Sequence, residues 1–153
     1  MNKLYFRLAL FTFVFLFMFF PVFAQTSADI EAVLGEEQIT FEQAAFFTLA
    51  LATENQQDGP QAAFALVKER GWLPESTESG NVIDYKCLSY LIMKAFDLDG
   101  GLMYRLTGNQ RYAYREMRSR GFLSGRVYSS LPVSGEQLLQ ILGNVTDEQG
   151  GAW

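Results

Sequence analysis

One device occurs three times in this 153-residue chain: a β-branched residue, then a helix-capping residue, then a long apolar helix. It stands at Ile39-Thr40, Ile83-Asp84 and Val133-Ser134. A capping side chain accepts from backbone amides that the first helical turn cannot pair, so each copy marks a helix start. In the third copy Ser134 opens a helix carrying Leu138, Ile141, Leu142 and Val145 at the i, i+3, i+4, i+7 spacing of one buried stripe. In the first, Thr40 and Gln43 form a capping box ahead of a helix over 41–52 that is apolar almost all round and belongs at the centre of a bundle. In the second, Asp84 precedes a stripe of Leu88, Leu91, Ile92, Ala95 and Phe96.

A second pattern precedes two of these copies. ALVKERGWL (65–73) and YREMRSRGFL (114–123) each read as a helix ending in Arg-Gly-aromatic-Leu. Pro60 suits the first turn of the earlier helix and Gly71 its end. Near the start of the mature chain Ser27 caps a short helix with Ile30, Val33 and Leu34 on one face, stopped by Gly35. The spacers TENQQDGP (53–60) and PESTESGN (74–81) are loops, and Asp97-Leu-Asp-Gly-Gly is a helix-ending turn followed by loop as far as Asn109. The expected fold is therefore all-α: three pseudo-repeats of short helix, loop and longer capped helix, over 27–52, 60–96 and 109–145, around a central helical bundle. One such unit cannot bury its apolar face alone, whereas three together can. The plainer alternative, that all helical hairpins look alike, stays open at this point.

The first two dozen residues have a different character. Lys3 and Arg7 precede a charge-free apolar run from Leu8 to Phe20, Pro21 breaks it, and Val22 and Ala24 fit the positions before a cleavage at Gln25. A bilayer-spanning helix needs about 20 apolar residues, which Arg7 and Pro21 do not leave room for. The reading is a signal peptide over 1–24, a helical domain over 25–148 and a flexible tail over 149–153, with no integral membrane segment after cleavage. The protein is expected to be exported, to the periplasm or the cell surface. Cleavage removes two of 12 basic residues and none of 17 acidic ones, leaving a formal charge of −7. That balance argues against nucleic acid as a partner. Cys87 is the single cysteine, so the domain must be stabilised by packing and not by an internal disulfide.

The order of motifs in AYREMRSRGFLSGRVYSSLPVSGEQLLQIL (113–142) resembles the S-layer homology (SLH) domain family, with Gly121 and Gly125 at its glycine positions and Val133-Ser134 at its helix cap. The resemblance implies three helical units in pseudo-threefold arrangement and noncovalent attachment to cell-wall polymers. This chain departs from the family at the residues that bind. The family's cap arginine falls on Phe41, Tyr85 and Gly135, and its glutamate on Gln43, Cys87 and Gln137. The resemblance carries the fold over, but no binding residue.

Charge is distributed unevenly. Six arginines lie between Arg105 and Arg126 with only Glu116 opposing them, whereas the charged residues over 29–58 are all acidic. Arg111, Arg115 and Arg118 share one stripe of a helix whose other side holds Ala113, Tyr114 and Met117. Arginine forks match carboxylates and phosphates bidentately, and the interleaved aromatics offer stacking and cation-holding faces. The candidate polymer-binding residues are Arg111, Arg115, Arg118 and Arg120 with Tyr112 and Tyr114. Competing readings are a solvated face, pairing with the acidic first unit, and, for the aromatics, simple core filling.

The chain has no histidine, which removes Ser-His and Cys-His catalysis and the usual zinc sites. Asp97-Leu-Asp-Gly lacks the later oxygen ligands of a calcium loop. Cys87, in the first turn of an apolar helix, reads as a small buried residue. No enzyme, metal or cofactor is expected. The sequence favours a cell-envelope binding module for peptidoglycan or another anionic wall polymer, or alternatively a periplasmic protein-protein adaptor that has lost polymer binding.

Overall fold

The computed structural model describes residues 30–52, 58–125 and 127–150. The expected signal peptide, the Ser27 cap and the last three residues lie outside them. The chain divides at Val33 and Leu34 into two units. Of the first only 30–33 are described, as part of a helical turn over 30–34. The second unit holds six helices among the described residues: α1 (Phe41–Ala52), α2 (Pro60–Glu69), α3 (Tyr85–Ala95), α4 (Leu102–Thr107), α5 (Gln110–Ser119) and α6 (Gly135–Gly150). The protein is all-α, with two isolated bridges as its only β pairing among the described residues.

The capped starts form as the side chains dictate. Thr40 and Gln43 close a reciprocal box, the Gln43 amide oxygen accepting from the Thr40 N–H at 2.9 Å and the Thr40 hydroxyl from the Gln43 N–H at 3.4 Å. Ser134 and Gln137 repeat it at 3.0 and 3.3 Å. Asp84 has no such glutamine; its carboxylate accepts from the Cys87 N–H at 2.9 Å.

These three starts meet. The Ile39 amide donates to the Val133 carbonyl (2.9 Å), the Val133 amide to the Ile83 carbonyl (3.2 Å), and the Ile83 amide to the Ile39 carbonyl (3.0 Å), closing a ring of three backbone hydrogen bonds. All three side chains are fully buried. Further bonds brace it: Phe41 N–H to the Asn81 carbonyl and Tyr85 N–H to the Leu131 carbonyl are equivalent. Gly135 N–H goes instead to Glu36, one residue off that register. The β-branched residues thus hold a small extended hub from which α1, α3 and α6 start.

Around the hub the apolar stripes face inward. Leu138, Ile141, Leu142 and Val145 of α6 are buried, as are Leu88, Leu91, Ile92 and Met93 of α3. Helix α1 packs on α2, α3 and α6, and α3 packs on α5. It is less enclosed than its composition suggests, because Ala50 and Leu51 are exposed. Two short helices, α2 and α5, end alike. Gly71 and Gly121 take the left-handed conformation (φ 68° and 81°), which only glycine adopts without strain. Their amides bond back to Lys68 and Arg118, and the Trp72 and Phe122 amides reach Val67 and Met117. Both ends are Schellman motifs with an aromatic residue just beyond the glycine.

Two expectations need correction. Residues 102–107 are helical where a loop was expected, because Tyr104 is buried against Tyr90 (6.3 Å between ring centroids) and anchors the turn. Helix α6 runs to Gly150, two residues into the expected tail, and the Gln149 side chain donates to the Phe96 carbonyl at 3.0 Å.

Candidate polymer-binding surface

Helix α5 carries the candidate stripe. Asn109 caps it, its side-chain oxygen accepting from the Arg111 N–H at 2.8 Å. The apolar residues Ala113, Tyr114 and Met117 point into the core, and this turns Arg111, Arg115 and Arg118 outward, all exposed. The Arg115 guanidinium lies 6.0 Å from the centroid of the half-buried Tyr112 ring. Among the described residues none of these three arginines forms an ion pair, and the Arg118 guanidinium lies 3.5 Å from the Tyr114 hydroxyl.

The other two candidates are committed to the fold. Tyr114 is buried, and its hydroxyl donates to the Val127 carbonyl at 2.6 Å. Arg120 lies against Glu116 (3.2 Å) and Glu148 of α6 (3.5 Å) and donates to the Asp99 carbonyl. Glu116, the acidic residue within the basic stretch, is held as well: one oxygen takes Arg120 and the other accepts from the Gly101 N–H at 3.0 Å. Its charge is spent on tying α4 to α5, which leaves the outer stripe uncompensated. The exposed set therefore narrows to Arg111, Arg115 and Arg118, with the half-buried Tyr112 beside them.

The neighbouring surface leaves no periodic signal in the sequence. On α4, Leu102, Met103 and Leu106 are 69%, 52% and 70% exposed, and Arg105 beside them is exposed. The left-handed Gly108 ends α4 and Asn109 at once caps α5, so the two helices form one corner. Most other aromatics in this region are core: Tyr104, Tyr114 and Phe122 are buried, while Tyr128 is exposed.

Beyond this corner, little in the molecule suggests chemistry. Cys87 is buried beside Asp84, and burial first, then the hydrogen bond with Asp84, pushes its thiol up to about 12. A thiol held protonated is a poor nucleophile. Its sulfur lies 3.4 Å from the Gln110 side-chain oxygen, joining α3 to α5. Burial likewise raises the Tyr104 phenol to about 12. Among the described residues no group of three or more His, Cys, Asp or Glu is placed to hold a metal ion, and no helix is long and apolar enough to cross a membrane. Compared with known family models, curated proteins and solved structures, the chain matches none.

Proposed function

We propose that this chain is an exported cell-envelope binding module, built of three SLH-like helical units, that attaches noncovalently to peptidoglycan or another anionic wall polymer through α5. The observation that carries the reading is the contrast among its arginines. Arg120 is consumed by Glu116 and Glu148, whereas Arg111, Arg115 and Arg118 project from one exposed face with no ion-pair partner among the described residues. Pairing within the molecule accounts for Arg120 and leaves the stripe free for carboxylates or phosphates of a polymer.

Support for the three-unit reading comes from the hydrogen-bond ring, and for the likeness of the second and third units from a constant spacing. Gly71 and Gly121, Thr77 and Val127, Ile83 and Val133, and Asp84 and Ser134 are each 50 residues apart. The carbonyls of Thr77 and Val127 both accept a side-chain donor from the preceding helix, Lys68 in one case and Tyr114 in the other. The repeat thus preserves a carbonyl to be satisfied while changing the residue that satisfies it.

One observation favours the second reading, a protein-protein adaptor in the periplasm. The positions that match the family's binding arginines hold Phe41, Tyr85 and Gly135, all buried. A family-type polymer site at the helix caps is absent, so polymer recognition rests on α5 alone. Pull-down of the protein on purified sacculi separates the two readings. Binding at low salt that is lost in the Arg111→Glu, Arg115→Glu, Arg118→Glu triple variant supports the module. Absent binding, or binding indifferent to those changes, leaves the adaptor.

A further inference from the structure

The exposed leucines and methionine of α4 are a second feature, separate from polymer binding. Buried Tyr104 fixes the inward side of this single helical turn and a half. Leu102, Met103 and Leu106, at 0°, 100° and about 40° around the helix by its periodicity of 3.6 residues per turn, then share the outward side. Three large apolar side chains, each more than half exposed, thus stand together on one turn. Isolated exposed leucines are ordinary; a contiguous projecting set is the kind of feature that marks an interaction surface.

Its surroundings point to the occupant. Arg105 sits on the flank of the same turn, and Arg111, Arg115 and Arg118 follow on α5, which packs against α4. From 101 to 125 the sequence contains five arginines and one acidic residue, and that residue, Glu116, is already bound to Arg120 and the Gly101 amide. A second copy of this chain seated on the patch would bring these like charges together. A flat anionic surface with an apolar interior complements both halves: side chains at the tip enter the headgroup-acyl boundary while guanidinium groups stay at the phosphates. We propose that the α4–α5 corner docks on the surface of an anionic lipid bilayer, with Leu102, Met103 and Leu106 inserted and Arg105 and the α5 arginines against the lipid phosphates.

The test uses the protein expressed with its leader in an exporting bacterial host and purified as processed, so that every variant carries the same N-terminus. Co-sedimentation is measured with vesicles of phosphatidylcholine alone and with vesicles containing about one third phosphatidylglycerol, at low and high salt. Expected are binding to the anionic vesicles, weakened by salt, and at least a tenfold loss for Leu102→Ser, Met103→Ser, Leu106→Ser. These residues are already exposed, so unchanged circular dichroism and melting should show that the variant is folded. Leu106→Cys in a Cys87→Ser background, labelled with an environment-sensitive fluorophore, should shift to the blue on adding anionic vesicles. Equal binding to both lipids, or binding untouched by the serine variant, overturns the proposal. So does dimerisation abolished by that variant in the absence of vesicle binding, which would assign the face to a second copy. Sacculus binding should survive the serine changes and fail in the Arg111, Arg115, Arg118 glutamate variant, which keeps this proposal distinguishable from the polymer reading.

Discussion

The hub where Ile39, Ile83 and Val133 meet and the corner formed by α4 and α5 use the same kinds of residue to opposite ends. In the hub, branched apolar side chains are fully buried and the backbone satisfies itself in a closed ring. At the corner, Leu102 and Leu106 are about 70% exposed and the arginines of α5 lack ion-pair partners among the described residues. The difference teaches that apolar character alone does not fix a residue's role here. What surrounds it does: three chain segments converge on the hub, whereas the α4 turn is held by Tyr104 and by the bond from the Gly101 N–H to Glu116. Substitutions in the inner region should therefore act on stability, and those at the outer corner on binding.

The largest effect should come from the inner side. Leu142→Ala empties a fully buried position and should lower unfolding free energy by about 2–5 kcal/mol in urea titration. A change within about 0.5 kcal/mol, the range of surface sites, would break the comparison. Alkali should act on the same side. Cys87 and Tyr104 have folded-state pKa values raised to about 12 from ordinary values of 9.0 and 10.0, so folding favours their protonated forms. Their contribution is intact below pH 9 and is lost as pH rises toward 12, where the unfolded chain ionises first. Thermal melts should show this decline above pH 9, and Cys87→Ser should flatten it; an identical slope in that variant would remove Cys87 from the account.

Ile83→Pro deletes one amide of the ring and leaves the Ile39 carbonyl unpaired in a buried place, a cost of about 1–3 kcal/mol to which the loss of a fully buried side chain adds. If chemical denaturation finds no such loss, the ring contributes nothing. Thr40→Ala removes one half of a capping box and should cost about 1 kcal/mol, with Ser134→Ala close to it. The smallest stability effects belong to the corner. Arg111→Gln and Leu106→Ser should each stay within about 0.5 kcal/mol by the same denaturation assay, while their binding partners are lost. A large destabilisation from either would move the corner into the structural half of the comparison.

Local signals made the inner half readable in advance. Thr40 with Gln43, Asp84, and Ser134 with Gln137 announce helix starts by chemistry confined to one turn, and Gly71 and Gly121 announce the stops. The α6 stripe was readable because its period matches the helix. What escaped depends on distant partners. Helix α4 follows two glycines and exposes its own apolar residues, so no amphipathic pattern reveals it; its anchor is Tyr90, on another helix. Arg120 and Arg118 look interchangeable in sequence, yet Glu148, 28 residues later, claims only the first. The ring itself is made of backbone groups, which leave no trace in residue identity beyond the branched side chains beside them.

That ring also governs how the chain can come together. A linear stack of repeats has two ends, grows one copy at a time and needs polar end pieces to close it. Here Ile39 is joined directly to Val133, so among the described residues an early and a late segment close on each other. Individual helices can form from nearby residues, but the last bond waits on a loop of most of the domain and bears its closure entropy. A chain synthesised from its N-terminus cannot close this ring until Val133 has been added.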